Sequence, residues 1–466
     1  MNNTLDPVAP FMRVGKKIRK IRVTSLLLAS YLAAIGVGTL VLMLPASTVP
    51  GSIPFIDALF TATSAVCVTG LIVVDTGTYF TPFGQMVILA LIQIGGLGVM
   101  TITVTIFIFL RRSISFKQRM AMQDVFAHTP REDIYNLLKS IFWFTALAEL
   151  IGAALLFIHW SGEYATGKAI YTAVFHAVSA FCNAGFALFP DSFVRYREDL
   201  LLNGTVCGLI IFGGIGFPVV YDFYKAGFQP RGKRFRLSVQ TKTVLWTTLF
   251  LIIVGTWVFW LEEYRFMTAE SGRVAKIMTA FFQSVTSRTA GFNTVDIASM
   301  SDASLAFMLF LMFFGASPGS CGGGTKTTTL AVLAIFGWHR LRQRRRVNLF
   351  KRSIPDETVT RSISLVVLSV TIIAAVFFLL LLTLPQGLAQ GVGHGRFLTY
   401  LFETVSAFGT VGLSMGVTGE LNTGGKSLII IMMLIGRVGV LTFSYVIAGD
   451  GARNGIEYAE ENVMIG

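Results

Sequence analysis

Apolar stretches of about 20 residues, the length a helix needs to cross a hydrocarbon core, recur along the chain and alternate with shorter polar stretches. The pattern predicts eight membrane-spanning helices, the sixth of which is interrupted. An even number of spans places both termini on the same side of the membrane. The predicted spans cover residues 23–44, 85–109, 138–159, 201–221, 243–260, 305–314 continuing through 329–336, 363–384 and 427–447.

Between the two spans of each successive pair lies a segment that is too short and too rich in Ser, Thr and Gly to span, yet too apolar for a surface loop. Aligned on one glycine, the four segments read "FTATSAVCVTGL", "FHAVSAFCNAGF", "FFQSVTSRTAGF" and "FETVSAFGTVGL". Each has a phenylalanine ten residues before the glycine and Leu or Phe directly after it. The phenylalanines are Phe60, Phe175, Phe281 and Phe402, and the glycines are Gly70, Gly185, Gly291 and Gly412.

A second glycine motif repeats in the spans that follow these segments. It reads "GGLG" from Gly95, "GGIG" from Gly213, "GASPG" from Gly315 and "GRVG" from Gly436. The chain is therefore predicted to be an all-α polytopic membrane protein built from a unit of helix, re-entrant pore helix and helix, repeated four times. Eight spanning helices and four pore helices would surround a pseudo-fourfold pore. The predicted repeats comprise residues 23–112, 134–226, 238–340 and 360–449, between a basic N-terminus (1–22) and a C-terminal tail (450–466).

The re-entrant segments are the candidate ion site, because irregular backbone at membrane depth is tolerated only where protein buries it or where it lines water. Each is predicted to begin as a short helix (60–66 in the first repeat) whose C-terminal end favours a cation. The chain then returns in extended form, so that its carbonyl oxygens can replace the hydration shell of an ion. Four hairpins that only fill space are the alternative. The predicted selectivity filter, with K⁺ at its glycines, comprises Val68, Thr69, Gly70, Asn183, Ala184, Gly185, Thr289, Ala290, Gly291, Thr410, Val411 and Gly412.

The sixth span contains the stretch "GASPGSCGGGTKTTT", residues 315–329, which cannot continue a regular helix through its proline and glycine run. The corresponding stretches of the other three repeats are predicted to be helical. A flexible segment in one repeat, just below the filter, is predicted to act as a plug. The predicted gate comprises Gly315, Ala316, Ser317, Pro318, Gly319, Ser320, Gly322, Gly323, Gly324, Lys326 and Arg437.

Arg437 stands where the other three repeats have Gly or Ala, at a depth where a charge costs about 2.5–3.5 kcal/mol on insertion scales. Facing the pore it would add a barrier to cations, and it could equally hold the loop closed through hydrogen bonds to free carbonyl groups. The alternative is that it pairs with Glu149 or another buried carboxylate for packing alone. Lys326 would act in the same way as Arg437, or extend its ammonium group towards the membrane surface.

Three further polar residues lie in the re-entrant segments. Arg288 is predicted to brace the third filter segment, because a cation facing the pore would repel K⁺. His176 and Glu403 are predicted to begin their pore helices, where the helix dipole favours an acidic side chain.

Composition excludes several other classes of protein. With 53% hydrophobic and only 14% charged residues and a mean hydropathy of +0.68, most of the chain has lipid as its solvent. The net charge of +13 comes from loops between spans, which places both termini in the cytoplasm and does not indicate nucleic-acid binding. The spans lack the paired Asp residues or HExxH motif of an intramembrane protease. Repeats that all run in one orientation disfavour an inverted-repeat solute transporter.

The stretches "TATSAVCVTGLIVVDT", "SVTSRTAGFNT" and "GGGTKTTT" resemble the membrane subunit of bacterial Ktr systems, within the superfamily of Ktr, Trk and HKT potassium transporters. The resemblance covers essentially the whole chain after the basic N-terminus. It implies potassium uptake through a single-file pore with an intramembrane gating loop, and not an enzyme. It places the protein in the inner (plasma) membrane of a bacterium.

The resemblance also implies partners and ions. The expected partners are a second copy of the chain in a homodimer, a cytoplasmic ring of nucleotide-binding RCK regulatory subunits, and membrane lipids. No covalently bound cofactor is expected; the ions are K⁺ and, as a stimulating or symported ion, Na⁺. Because each repeat shares one glycine instead of the longer TVGYG signature, a less selective Na⁺/K⁺ transporter and a Trk-like proton-coupled potassium symporter stay open as alternatives.

Overall fold

The computed structural model describes residues 23–98, 134–227, 237–263, 272–344, 346–383 and 395–440. Almost all regular structure in these residues is helical, which confirms the predicted all-α class. The predicted N-terminal stretch (1–22) and C-terminal tail (450–466) lie outside the described residues, as do residues 99–112 and 441–449 of the first and fourth predicted repeats.

The described helices follow one another in four groups, each containing a long helix, a short helix and a third helix in that order. The first group contains α1 (Val23–Leu42), α2 (Phe55–Cys67), the single turn α3 (Thr76–Tyr79) and α4 (Pro82–Leu97). The second contains α5 (Ile134–Trp160), α6 (Thr166–Phe181), α7 (Leu200–Ile215) and α8 (Phe217–Gly227). The third contains α9 (Val239–Glu263), α10 (Arg273–Thr286), α11 (Asp302–Phe313) and α12 (Thr327–Leu341), followed by an antiparallel hairpin of β1 (Asn348–Leu349) and β2 (Arg352–Ser353). The fourth contains α13 (Asp356–Thr383), α14 (Arg396–Gly409) and α15 (Thr423–Val438).

Contacts between the helices form a closed cycle. Within each group the long helix (α1, α5, α9 or α13) packs against its own short helix and its own third helix. Between groups, the third helix packs against the next short helix: α4 on α6, α7 on α10 and α11 on α14. The cycle closes where α15 packs against α2. The short helices therefore lie inside a ring whose outer wall is the long helices.

The long helices present apolar side chains outward. On α9, Trp246, Phe250, Ile253 and Trp257 recur at helical spacing and are each 58–64% exposed. A stripe of this size would be unfavourable in water but is the expected surface towards lipid. Among the described residues, α5, α9 and α13 each contain a stretch long and apolar enough to cross a membrane, and α7 with α8 makes a fourth if that bent pair is one span.

The prediction that the second spans of the other three repeats are unbroken helices is wrong. Helix α4 ends before Gly98 (φ 83°), α15 ends before Gly439 (φ 93°), and α7 and α8 meet at Gly216 (φ 98°) with a bend of 86°. A positive φ cannot continue a right-handed helix, and glycine adopts it at little cost. These glycines are the last residues of the repeated motif, so the motif marks a break that periodicity alone could not reveal.

The first glycine of the same motif has a different role. Methyl groups added at Gly95, Gly213, Gly315 and Gly436 would lie 1.4–2.1 Å from a carbonyl oxygen at the C-terminal end of the short helix in the same group. Any side chain there would push the third helix away from the short helix. The motif therefore records two constraints, close approach at its start and a helix break at its end.

We predict that Gly213→Ala lowers the stability of the folded protein, because the added methyl group would lie 1.8 Å from the carbonyl oxygen of Phe181. Backbone atoms cannot yield cheaply, so a loss of about 1–3 kcal/mol is expected. The matched control is Gly208→Ala in the same helix, where nothing lies within 4 Å; it should be neutral or slightly stabilising. Thermal unfolding of the detergent-solubilised protein measures both, and equal melting temperatures for the two variants would contradict the packing argument.

Candidate functional site

The short helices all end inside the ring, and each is followed by a segment that contains one of the aligned glycines. Helix α2 begins at Phe55, five residues before the start predicted at Phe60, and ends at Cys67. In three segments the residue two positions before the glycine has a left-handed conformation; these residues are Val68 (φ 56°), Asn183 (φ 58°) and Thr410 (φ 49°). The helix therefore stops abruptly and the chain turns back.

The four aligned glycines contact one another in a closed cycle. A methyl group added at Gly70 would lie 3.1 Å from the Cα of Gly185, and one added at Gly185 would lie 3.1 Å from the Cα of Gly291. The corresponding distances are 3.2 Å from Gly291 to Gly412 and 2.8 Å from Gly412 to Gly70. All four have φ between 70° and 91°. No side chain fits at these positions, so glycine is required for both space and backbone angle.

Carbonyl oxygens lie next to this cycle of glycines. Methyl groups added at the four glycines would lie 2.1–2.7 Å from the carbonyl oxygen that precedes the neighbouring glycine. These oxygens belong to Thr69, Ala184, Ala290 and Val411. The structure thus brings the twelve predicted filter residues together, and the eight with side chains are at most 2% exposed. A cluster of backbone carbonyls can take the place of water around a monovalent cation.

Hydroxyl groups at the end of each short helix fix these segments, and the sequence analysis did not identify them. The backbone N–H groups of Gly70 and Gly412 donate to Ser64 and Ser406, both at 3.1 Å. In the other two segments the hydroxyl donates to the carbonyl group of the residue after the glycine. These bonds are Ser179 to Phe186 (2.8 Å) and Thr286 to Phe292 (2.6 Å). The signal was present, since all four motifs carry Ser or Thr five or six residues before the glycine.

The third segment is one residue shorter than the others. Thr286 lies five residues before Gly291, whereas the three serines lie six residues before their glycines. Phe282 is fully buried like Phe60, Phe175 and Phe402, while Phe281 is only partly buried. The prediction that Phe281 is the repeated phenylalanine is therefore wrong, because an alignment without gaps cannot detect a deletion between the helix and the glycine.

His176 and Glu403 do not begin their helices. Helix α6 starts at Thr166 and α14 starts at Arg396, so both side chains lie in the second half of a short helix. Both residues are fully buried. The prediction is wrong because both helices begin several residues before the aligned apolar segments. The dipole argument for Glu403 required a position at the helix N-terminus and therefore does not hold.

A cavity of about 380 Å³ opens beside the segments that follow the short helices. All four aligned glycines line it, together with Asp75, Asn293, Ser414 and other loop residues. At its rim Arg195 donates to Asp191 at 2.7–3.1 Å, and this guanidinium holds the pKa of the Asp191 carboxyl below its usual value. The carbonyl cluster is therefore reached from this cavity, whose lining mixes polar and apolar residues and which we call the vestibule.

None of the residues that line this cavity belongs to the loop of residues 315–329. Its ends meet where the Thr327 N–H donates to the Ala316 carbonyl (2.8 Å) and the Ser317 and Thr327 hydroxyls share a hydrogen bond (3.2 Å). The ammonium group of Lys326 donates to the carbonyl groups of Gly322 (3.0 Å) and Gly323 (3.4 Å). The loop is thus tied to itself at its base and by an internal cation.

The same loop contacts two of the filter segments. The Gly323 N–H donates to the Thr410 hydroxyl at 2.8 Å, and a methyl group added at Gly322 would lie 2.6 Å from a side-chain carbon of Thr289. The Gly315 carbonyl accepts from Arg288 at 3.0 Å. The predicted gate residues therefore lie directly against the third and fourth predicted filter segments.

Backbone hydrogen bonds join the loop to the second and fourth groups of helices. The Cys321 N–H donates to the Gly213 carbonyl (3.2 Å) and the Phe217 N–H donates to the Gly319 carbonyl (2.9 Å). The Gly324 N–H donates to the Gly436 carbonyl at 3.1 Å. The loop therefore crosses from the third group to both of its neighbours.

Arg437 links this loop to the first group. Its guanidinium donates to the carbonyl groups of Cys321, in the loop, and Gly95, in α4. Among the described residues it forms no ion pair with Glu149, whose carboxylate accepts from Gln93 at 3.3 Å, so the alternative pairing is wrong. With Arg437 the loop contacts all four groups of the ring.

Comparisons with known proteins agree with this arrangement. A family model described as TrkH, cation transport protein, matches residues 24–449. The Ktr system potassium uptake protein B of Bacillus subtilis is 40% identical over 461 residues, covering 98% of this chain and 100% of that protein. The protein of the same name from Vibrio alginolyticus is 39% identical, covering 95% and 94% of the two chains.

A relative named for uptake of both potassium and sodium, and one solved structure, extend the comparison. The potassium/sodium uptake protein NtpJ of Enterococcus hirae is 37% identical over 458 residues, covering 97% of this chain and 99% of that protein. The crystal structure of the potassium transporter TrkH from Vibrio parahaemolyticus superposes with a TM-score of 0.71 at 18% identity. It covers 93% of this chain and 86% of that one, and at this identity the likeness concerns the fold.

Proposed function

Because the chain belongs to the TrkH family of cation transport proteins, we propose that it takes up potassium ions across the membrane of a bacterial cell. The observation that carries this proposal is the closed contact between Gly70, Gly185, Gly291 and Gly412, with four backbone carbonyl oxygens beside them. Such oxygens suit a dehydrated monovalent cation. The relatives named for potassium uptake match over nearly their whole length.

The pore is built from four repeats of long helix, pore helix and third helix, of which α2, α6, α10 and α14 are the pore helices. The cyclic contacts of the third helices with the next pore helix support a fourfold arrangement. The vestibule is the outer entrance, and both termini face the cytoplasm, as the basic loops between spans favour. The twelve predicted filter residues form the selectivity filter, with K⁺ bound beside its glycines.

The loop of residues 315–329 is the gate. Its hydrogen bonds to Thr410, Gly213 and Gly436 support a position across the conduction path, immediately below the filter. Arg437 holds it there through the Cys321 carbonyl and adds a positive charge that a permeating cation must pass. Lys326 stabilises the closed loop from within. Movement of the loop opens the pore.

The working assembly contains partners beyond this chain. We expect a homodimer embedded in membrane lipids, with a cytoplasmic ring of nucleotide-binding RCK subunits that controls the gate; the Ktr-system names of the relatives support a multicomponent system. Sodium stimulates the flux or moves with potassium. The second candidate is a less selective Na⁺/K⁺ transporter, which the name of the Enterococcus relative favours, and a proton-coupled potassium symporter is a third.

Uptake into bacterial cells that lack their own potassium transport tests the first two of these candidates. The cells, producing this chain with or without a Ktr regulatory subunit, are given ⁸⁶Rb⁺ with K⁺ or Na⁺ as competitor. Competition by K⁺ at far lower concentration than by Na⁺ supports the proposal. Equal competition supports the less selective transporter, and uptake that does not exceed that of empty cells contradicts both.

We predict that Gly291→Ser raises the apparent KM for K⁺ about tenfold and weakens discrimination against Na⁺, since each unfavourable contact of about 1.4 kcal/mol costs a factor of ten. The new side chain would start 2.3 Å from the Val411 carbonyl oxygen at a residue with φ 81°. Gly416→Ser is the matched control, because its φ is 90° but nothing lies within 4 Å. If both variants keep the KM and Na⁺ discrimination of the natural chain, Gly291 is not part of the filter.

We predict that Arg437→Ala raises uptake per membrane-inserted protein at least about tenfold, because charge-assisted hydrogen bonds contribute about 1.5–3 kcal/mol each and two of them hold the closed arrangement. Arg437→Lys should be intermediate, since it keeps the charge but loses the planar fork of donors. The control is Arg342→Ala, an exposed arginine beyond the end of α12.

Uptake and the amount of folded protein are measured in the same membranes. Lower uptake per folded protein in Arg437→Ala, with assembly unchanged, would show that Arg437 does not hold the gate closed. Lower assembly with unchanged uptake per protein would assign Arg437 to packing.

A further inference from the structure

One position in each short helix carries a buried polar side chain that neither the filter nor the gate uses. It lies three residues before the hydroxyl that fixes the filter segment, and we call it the brace position. Its occupants are Thr61, His176, Gln283 and Glu403. None is more than 2% exposed. A polar group this deep costs free energy unless it is hydrogen-bonded, so its partners show what it does.

In three segments the partner belongs to the third residue after the filter glycine; it is the backbone N–H in two of them and the side-chain hydroxyl in the other. The Leu188 N–H donates to Nε2 of His176 at 3.2 Å, and the Met415 N–H donates to Oε1 of Glu403 at 3.2 Å. In the third segment the amide of Gln283 donates to the Thr294 hydroxyl at 3.2 Å. Three different side chains thus bind the residue at the same position of their segments, which indicates that each of them holds the returning chain at this point.

The first segment differs. The Thr61 hydroxyl donates to the carbonyl group of Asp57 in its own helix at 2.8 Å, and the side chain is too short to reach the returning chain. This segment therefore provides an internal comparison, because its brace position is polar and buried but is not connected to the residue beyond the glycine.

Glu403 shows the strongest form of the contact. Besides the Met415 N–H, its carboxylate accepts from the hydroxyl of Ser414 and from that of Thr418, the latter at 2.8 Å. An ionised carboxylate is an acceptor only, so it matches three donors converging from the returning chain. Burying a carboxylate costs several kcal/mol. An apolar residue would fill the space without that cost, so packing alone does not explain Glu403.

The His176 contact requires a particular form of the imidazole. Nδ1 lies 2.8 Å from the Thr172 carbonyl and carries the proton, which leaves Nε2 free to accept from Leu188. Stacking against Phe189, with ring centroids 5.0 Å apart, holds the ring in this orientation. The Thr172 carbonyl and the Phe189 ring therefore orient the imidazole so that Nε2 faces the returning chain.

These contacts give the short helix a second hold on its filter segment, about one helical turn before the hydroxyl that binds the segment near the glycine. In the second, third and fourth segments, a Ser or Thr at the end of the short helix binds the glycine or the residue after it, and the brace residue binds the chain three residues beyond the glycine. The stretch that begins at the glycine is then held at two points, and the carbonyl that precedes the glycine lies directly before the first of them.

We infer that His176, Gln283 and Glu403 are positioning residues that set the spacing of the filter carbonyls, and hence the discrimination between K⁺ and Na⁺. The first segment has no such contact, so its backbone is the least restrained of the four. This inference rests on the proposed potassium uptake, because it assigns the residues a task in that process.

The test is a double-mutant cycle on the third segment with the first segment as control. Gln283→Ala and Thr294→Val each remove one partner of the same hydrogen bond. The double variant removes both partners, so its effect should not be the sum of the two single effects if the bond is what matters. Thr61→Ala removes a buried hydroxyl at the unbraced position. Apparent KM, maximal rate and Na⁺ competition are measured for ⁸⁶Rb⁺ uptake per folded protein in the potassium-uptake-deficient cells. Glu403→Gln and Glu403→Ala are measured alongside.

We expect each single variant of the Gln283–Thr294 pair to raise the KM or the Na⁺ sensitivity about threefold to tenfold, the range of one neutral hydrogen bond. The double variant should be no worse than the worse single variant, and Thr61→Ala should stay within twofold of the natural chain. Glu403→Gln, which keeps an acceptor oxygen, should fall between the natural chain and Glu403→Ala. Should Glu403→Ala not fold, the cycle on the third segment still decides.

Two results would overturn the inference. One is unchanged KM and Na⁺ sensitivity in both single variants of the pair. The other is additive effects in the double variant with an equal effect of Thr61→Ala, which would indicate general damage to the short helices. If the natural chain itself gives no uptake, the proposed function fails first; if it transports and the variants match it, the inference alone fails.

Discussion

The arrangement depends on four backbone carbonyl groups held close together in the interior of a membrane protein, where irregular backbone is tolerated only if protein buries it or it lines water. Glycine is required at the meeting point, because methyl groups at the four positions would lie within 2.8 Å of backbone atoms. The other features follow from this. Each short helix must stop before the glycine, a hydroxyl must bind the turning chain, and the third helix must come close enough to need a glycine of its own.

The third group departs from the others at several linked points. Its segment is one residue shorter and lacks the left-handed residue found in the other three. Arg288 uses the space, donating to the Gly315 carbonyl where the third helix has ended. Helix α11 has 12 residues against 16 in α4, α7 and α15, which shortens it by about 6 Å at 1.5 Å per residue. The loop of residues 315–329 fills the place that this shortening leaves.

Sequence reasoning identified the features that local chemistry fixes and missed those that depend on distant parts of the chain. The spacing of Gly70, Gly185, Gly291 and Gly412 was visible because no other residue fits there, and the loop was visible because Pro318 and its glycines cannot be helical. The breaks at Gly98, Gly216 and Gly439 were missed, since a glycine inside an apolar run is compatible both with a continuous helix and with a helix end. The deletion before Gly291 and the role of Glu403 were missed because both appear only when the returning chain is in place. The four-repeat pore itself stays a prediction supported by the helix contacts.

The loop is the part of this ring that can move at least cost. It is held chiefly by hydrogen bonds from its backbone N–H groups to the Thr410 hydroxyl and the Gly213 and Gly436 carbonyls, and by the guanidinium of Arg437, not by large apolar side chains. Each such bond contributes about 1 kcal/mol net, and carbonyl groups that lose a protein donor can bind water in an open pore. Moving a long helix would instead separate buried aromatic and aliphatic side chains. The proposed gate therefore lies where its polar contacts can be exchanged, next to the residues of the carbonyl cluster.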